Sequence, residues 1–201
     1  MLQYPEIAGS AKAPLGKPCI AFYKYDGSNL RFEWSSKQGW HKFGTRHQLF
    51  NQTDPIFGPG IPYFLDKMGD EILKRCRDVE RGVQRITVFC EYYGIQSFAG
   101  KHVPGDEMML RLIDVALYKR GMMKPRLFVK TFGDWYFTAE VIYDGNLNRQ
   151  FIEDIRQSKY PVWEGVVAKG IDGDWMCKIK TNAYFKKLNE VFGTEYRNYW
   201  E

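Results

Sequence analysis

An apolar run, Cys19-Ile20-Ala21-Phe22-Tyr23, ends on Lys24 and is followed at once by Tyr25-Asp26-Gly27-Ser28-Asn29. The run fits one buried strand and is too short for a helix; Asp-Gly is a turn former. The pattern therefore predicts strand, bend and second strand. In the second strand, residues 29–35, Leu30, Phe32 and Trp34 alternate with Arg31, Glu33 and Ser35. That alternation has period two and gives one apolar face. Lys24 is expected at a strand end, half in water. A lysine held there can be desolvated, and only the neutral amine is a nucleophile.

The same reading extends along the chain. Strands are expected at 18–23, 29–35, 39–43, 85–93, 108–119, 139–143, 161–169 and 174–180. Lys37-Gln38-Gly39 and Gly170-Ile171-Asp172-Gly173 serve as hairpin turns. Ile61, Phe64, Leu65, Met68, Ile72 and Leu73 recur at helical spacing. A short helix is expected around Phe151, Ile152 and Ile155, and another at 182–192. Residues 1–17 read as an extended lead-in, 51–62 and 95–106 as loops, and Asp144-Gly145-Asn146 as a turn; 122–136 shows no clear period. Many short strands with few helices predict an α+β fold of antiparallel sheets, in a single domain over residues 1–201.

Aromatic residues make up 16% of the sequence and hydrophobic residues 44%, enough for a substantial core and too much for disorder. No apolar run reaches the length of a membrane span, and residues 1–17 lack the apolar centre of a secretory signal. Cys19, Cys76, Cys90 and Cys177 are scattered without metal-type pairing, which predicts reduced thiols in a cytoplasmic protein. The three histidines are far apart and suggest no zinc site. A net charge of +5 permits nucleic-acid binding without requiring it.

Three further clusters follow Lys24 in order: Cys90-Glu91-Tyr92-Tyr93-Gly94, Trp163-Glu164-Gly165-Val166-Val167-Ala168-Lys169 and Cys177-Lys178-Ile179-Lys180. With them the chain resembles the nucleotidyltransferase domain of the covalent nucleotidyltransferase superfamily: ATP-dependent DNA ligases, RNA ligases and mRNA capping enzymes. Lys24-x-Asp26-Gly27-x-Asn29 resembles motif I of that family and Glu91-x-x-Gly94 motif III. Glu164-Gly165-Val166-Val167-x-Lys169 resembles motif IV, and Lys178-x-Lys180 motif V. Arg46 resembles the phosphate-contacting arginine of motif Ia. Where motif IIIa usually places a base-stacking aromatic, this chain has the aliphatic Leu112-Ile113 before Asp114. The resemblance implies two antiparallel sheets forming a nucleotide cleft, with flanking helices.

Attack on the α-phosphate of ATP needs a neutral amine, and an unperturbed lysine near pH 7 is free base only to about one part in a thousand. Lys178 and Lys180, alternate residues of one strand, can face the same side, favour neutral Lys24 and offset phosphate charge. A divalent ion, Mg2+ or Mn2+, would add to this; Glu91 and Glu164 are its candidate ligands, with Asp26 as a third. The resemblance implies that Lys24 forms a covalent lysine–AMP and that Glu91 binds ribose. It also implies that Glu164 helps place metal and nucleotide, that Lys178 and Lys180 hold the α-phosphate, and that Val166 covers the adenine. Tyr23, Asp26, Asn29 and Arg46 complete the implied nucleotide contacts.

Within the family, Asn29 closes motif I where DNA ligases and capping enzymes usually carry arginine; one branch of RNA ligases uses asparagine. No oligonucleotide-binding barrel is expected in the 21 residues after Lys180. Both features favour an RNA ligase acting as a monomer on nicked or broken RNA, with no membrane partner. Asp26 runs the other way, because asparagine-type enzymes often lack it. The alternatives are a minimal DNA nick ligase and an adenylylating domain that acts with a separate partner.

Overall fold

The computed structural model describes residues 1–195. They form two compact units. One comprises residues 1–5, 27–123 and 127–138, the other 6–26, 124–126 and the described residues from 139 onward. In chain order the strands are β1 (Ala8–Gly9), β2 (Pro18–Lys24), β3 (Ser28–Ser35), β4 (Gly39–Thr45), β5 (Leu49–Phe50), β6 (Arg85–Gly94), β7 (Met108–Leu117), β8 (Gly121–Met122), β9 (Val141–Asn146), β10 (Gly165–Gly170) and β11 (Met176–Lys180). The helices are α1 (Gly60–Phe64), α2 (Asp70–Val79), α3 (Pro125–Phe132), α4 (Arg149–Arg156) and α5 (Asn182–Phe192). The α+β class expected from the sequence is the class observed, and among the described residues no sheet closes into a barrel.

The first unit holds an antiparallel sheet in the order β5-β4-β3-β6-β7-β8. The apolar face of β3 is its core: Phe32 stacks on Phe64 at 3.8 Å, and Leu30, Met68 and Ile72 are buried. The periodic stretch after residue 60 forms α1, a π-helical turn at Leu65–Gly69 and α2, rather than one helix. The polar face of β3 is covered too. Arg31 and Glu33 are 4% and 3% exposed. Residues 1–5 belong to this unit and lie there, with Arg31 Nη1 donating to the Leu2 carbonyl at 2.9 Å and Tyr4 packing on Phe89. The Tyr4 hydroxyl donates to Asp114 Oδ2 at 2.5 Å, and burial, then the Asp114 charge, holds its pKa well above the usual phenol value.

The second unit holds a sheet in the order β1-β11-β10-β2-β9, antiparallel except that β1 runs parallel to β11. One face carries Cys19, Ala21, Val166, Ala168, Cys177 and Ile179 and is packed with Phe151 and Ile155 of α4. Asn148 caps α4 by accepting from the Phe151 amide at 2.8 Å, a bond type worth about 1 kcal/mol. The expected turn at Asp144-Gly145-Asn146 is instead the end of β9, where Gly145 pairs with Cys19. Ladder bonds along β2 outweigh the local turn preference. The unassigned stretch 122–136 contains α3.

Candidate active site

In the second unit, Lys24 of β2 and Lys180 of β11 are both register partners of Gly165 on the central strand β10. The two lysines therefore face the same side with no side chain between them. Only glycine fits the middle position: its φ is +147°, and a Cβ there would lie 1.9 Å from the Ile179 carbonyl oxygen. Glu164, one residue earlier, meets both lysines. Its Oε1 is 2.9 Å from Lys24 Nζ and 3.1 Å from Lys180 Nζ. Its Oε2 is buried with no partner among the described residues. An acceptor left so costs about 1–3 kcal/mol. Burial pushes the Lys180 pKa down; Glu164 opposes this, while Lys24 and Lys178 push it further down. Two lysines thus share one carboxylate with a third acting on Lys180, an arrangement whose positive charge can attract a polyanion.

Supporting contacts fix Glu164. The Thr181 amide donates to the Glu164 carbonyl at 2.9 Å, and the Thr181 hydroxyl donates to the Trp163 carbonyl at 2.7 Å while capping α5. The Trp163 amide donates to the Tyr23 hydroxyl at 3.2 Å. Thr181 was not singled out from the sequence; its place between a basic strand and a helix start, an N-cap signal, could have found it.

The two-residue period sorts the remaining expected residues. Lys178 pairs with Val167, and Val167 with Phe22, on the lysine side. Val166 lies on the other side, fully buried in the α4 core, so it does not cover a ligand with the lysines; half-buried Val167 is the apolar side chain of that motif on their face. Tyr23 also points to the α4 side, and its role is to hold Trp163. Lys169 is buried with its ammonium over the Phe22 ring at 4.7 Å. Asp26 is half-buried in the bend after β2.

In the first unit, Asn29 of β3 pairs with Glu91 of β6, and Glu91 with Arg111 of β7, placing the three side chains in one row. Both amide atoms of Asn29 are buried without a partner among the described residues. Gly27 is required by close approach, since a Cβ would lie 2.2 Å from the Tyr92 carbonyl oxygen. Arg46, just past β4, donates to the Pro5 carbonyl at 3.4 Å, and its buried Nε has no partner among the described residues.

Behind this row, Ser28 meets a histidine that sequence spacing did not mark. His102 Nε2 is 2.8 Å from the Ser28 hydroxyl, His102 Nδ1 is 3.2 Å from the Ser97 hydroxyl, and Ser97 donates to Asp106. A hydroxyl has one proton, so His102 donates from Nδ1 and accepts from Ser28 at Nε2, which is the neutral tautomer. Burial lowers the His102 pKa, with Asp106 acting in the opposite direction. The unfolded chain therefore binds this proton first. The contribution of His102 to stability is present above about pH 6.5 and lost as pH falls through the lower folded value. Urea unfolding across pH should show this loss, and His102→Gln should flatten it. An unchanged acid limb in the variant would remove His102 as its source.

Among the described residues, no group of three or more His, Cys, Asp and Glu side chains could hold a metal ion by itself. The unpartnered Glu164 Oε2 suits a single contact to a hydrated Mg2+ or Mn2+ that arrives on phosphates, the usual way magnesium is bound beside nucleotides. Glu91 belongs to the other unit.

The chain has the fold of a ligase-type nucleotidyltransferase domain. Among the solved structures that show it are those of RNA ligase from Naegleria gruberi. A lysine-to-methionine mutant with AMP and Mn aligns with a TM-score of 0.66 at 17% identity over 93% of this chain and 58% of that one. A lysine-to-alanine mutant with ATP and Mn gives 0.65 at 16% identity over the same shares. The enzyme with PPi gives 0.66 at 18% over 94% and 58%. The chain thus spans about 58% of the length of these ligases, and the likeness is one of fold. No protein-family model matches the chain, and no curated protein does. No helix among the described residues is long and apolar enough to cross a membrane.

Proposed function

We propose that the chain is an ATP-dependent RNA ligase, with residues 1–201 serving as a single nucleotidyltransferase domain. The observation that carries this is the Lys24–Glu164–Lys180 cluster, in which one buried carboxylate oxygen meets two lysines and the other oxygen has no partner. Neutral Lys24 Nζ attacks the α-phosphorus of ATP, and the bond to pyrophosphate breaks. Glu164 Oε1, already in contact, accepts the proton. Lys180 and Lys178 offset charge on the α-phosphate. AMP passes to a 5′-phosphate oxygen, and a 3′-OH then displaces AMP to seal the strand. Glu91 and Asn29 take the ribose, Arg46 the 5′-phosphate, and Val167 lies against the base. Asp26 shapes the bend beside Lys24. Glu164 Oε2 would hold a divalent ion, which when bound would supply positive charge to the phosphates. The ATP, AMP, PPi and Mn found with the similar ligases support this choice of ligands. The four buried cysteines without disulfides fit a reducing, cytoplasmic compartment, and the reaction as written needs one copy of the chain.

The test is sealing over nicked duplexes built from RNA, DNA and mixed strands. Binding should be weak and steeply salt-dependent, since phosphate contacts dominate. A-form RNA differs from DNA in its minor groove and 2′-OH groups. Sealing should require ribonucleotides on the 3′-OH side and tolerate deoxynucleotides on the 5′-phosphate side. Arg46→Ala should slow the steps after enzyme adenylylation more than adenylylation itself. Efficient sealing of an all-DNA nick would overturn the RNA assignment.

A further inference from the structure

The row Asn29–Glu91–Arg111 continues at its β7 end into a surface with no role in the adenylylation chemistry. Arg111 lies flat against Tyr136, its guanidinium carbon 4.4 Å from the ring centroid. Two hydrogen bonds hold it there, from Nε to the Tyr93 hydroxyl at 3.1 Å and from Nη1 to the Tyr136 carbonyl. Tyr136 is 71% exposed, although Phe137 braces it edge-on at 5.3 Å. Tyr63 stands close enough that Tyr136 and Tyr93 raise its pKa while Arg111 and Lys67 lower it, secondary to burial. Lys67 is exposed beside Asp66. A solvent-facing aromatic held against a guanidinium presents a stacking face to an incoming ligand. It is also the arrangement by which proteins hold unpaired bases: an aromatic face or an Arg plane for the base, and cations for the backbone.

We propose that Tyr136 and Arg111, with Tyr63 and Lys67 at the margin, form a stacking platform for a single-stranded nucleic acid. The strand leads to the Asn29–Glu91 row. This names a partner-binding site within the ligase reading and rests on that reading for its purpose. The ring and guanidinium faces supply stacking without choosing among bases, so the platform is tolerant of sequence. Lys67 and Arg111 supply the salt-dependent share.

The experiment is fluorescence anisotropy of a labelled single-stranded oligoribonucleotide with the full chain and no ATP. Tyr136→Ala should weaken binding by about tenfold, within the range found when one stacked base is lost. Tyr136→Phe, which keeps the ring, should restore most of it. Tyr118 gives the comparison: it is 48% exposed and also lies beside a guanidinium, that of Arg85 at 4.7 Å, at the opposite end of β6. Tyr118→Ala should leave RNA affinity unchanged. The platform is overturned if Tyr136→Ala binds as wild type, if Tyr118→Ala loses as much, or if the Tyr136→Ala defect lies in the ATP concentration needed for adenylylation instead. Because binding is read without ATP, a chain that binds RNA through Tyr136 but never takes up AMP sinks the ligase reading and leaves the platform standing.

Discussion

Lys24→Ala and Lys24→Arg should both abolish covalent transfer of AMP from labelled ATP to the protein. The arginine variant is the more telling. It keeps a cation beside Glu164 Oε1, so the ion pair and the register of β2 against β10 persist. A guanidinium, however, is not deprotonated in the working pH range and cannot act as nucleophile. Alanine removes the nucleophile while leaving Glu164 in contact with Lys180 at 3.1 Å, so the fold should survive. Label retained by either variant on a denaturing gel would mean that another residue carries AMP.

Glu164→Ala should have the second-largest effect, on both stability and rate. It leaves Lys24 and Lys180 facing each other across Gly165 without their shared carboxylate. Losing one member of a buried ion pair costs about 3–5 kcal/mol; roughly 2–4 kcal/mol is expected here because Lys24 reaches solvent. Adenylylation should fall by at least about tenfold, equivalent to roughly 1.4 kcal/mol of barrier. Glu164→Gln separates the two losses, since the amide keeps the shape and one acceptor but removes the charge. Single-turnover labelling and urea unfolding on both variants check this. Wild-type labelling by a folded Glu164→Gln protein would show that the charge is not used.

Much of the fold was legible in the sequence, for identifiable reasons. Local signals located β2, β3 and the β10–β11 hairpin, because apolar runs and Gly-rich turns act over a few residues. They also placed Lys24, Lys178 and Lys180 on common strand geometry. What was not legible depends on contacts distant in sequence. The residue ending a motif can be named from spacing, but whether Val166 or Val167 faces the lysines depends on which sheet face α4 covers. Burial of Arg31 and Glu33 depends on residues 1–5 lying over β3. The Ser28–His102 contact joins positions 74 residues apart and leaves no periodic trace. Tyr136 fell in a stretch whose α3 helix is followed by a turn, and its stacking on Arg111 emerges only from β7.

Mass spectrometry of the protein after incubation with ATP and magnesium decides whether Lys24 becomes lysyl-AMP. A gain of one adenylate on the intact chain is expected. The gain should map to the peptide containing Lys24 and be lost in acid, as a phosphoramidate should be. An adenylate mapped to any other residue, or none on a folded chain supplied with ATP and Mg2+ or Mn2+, would contradict it.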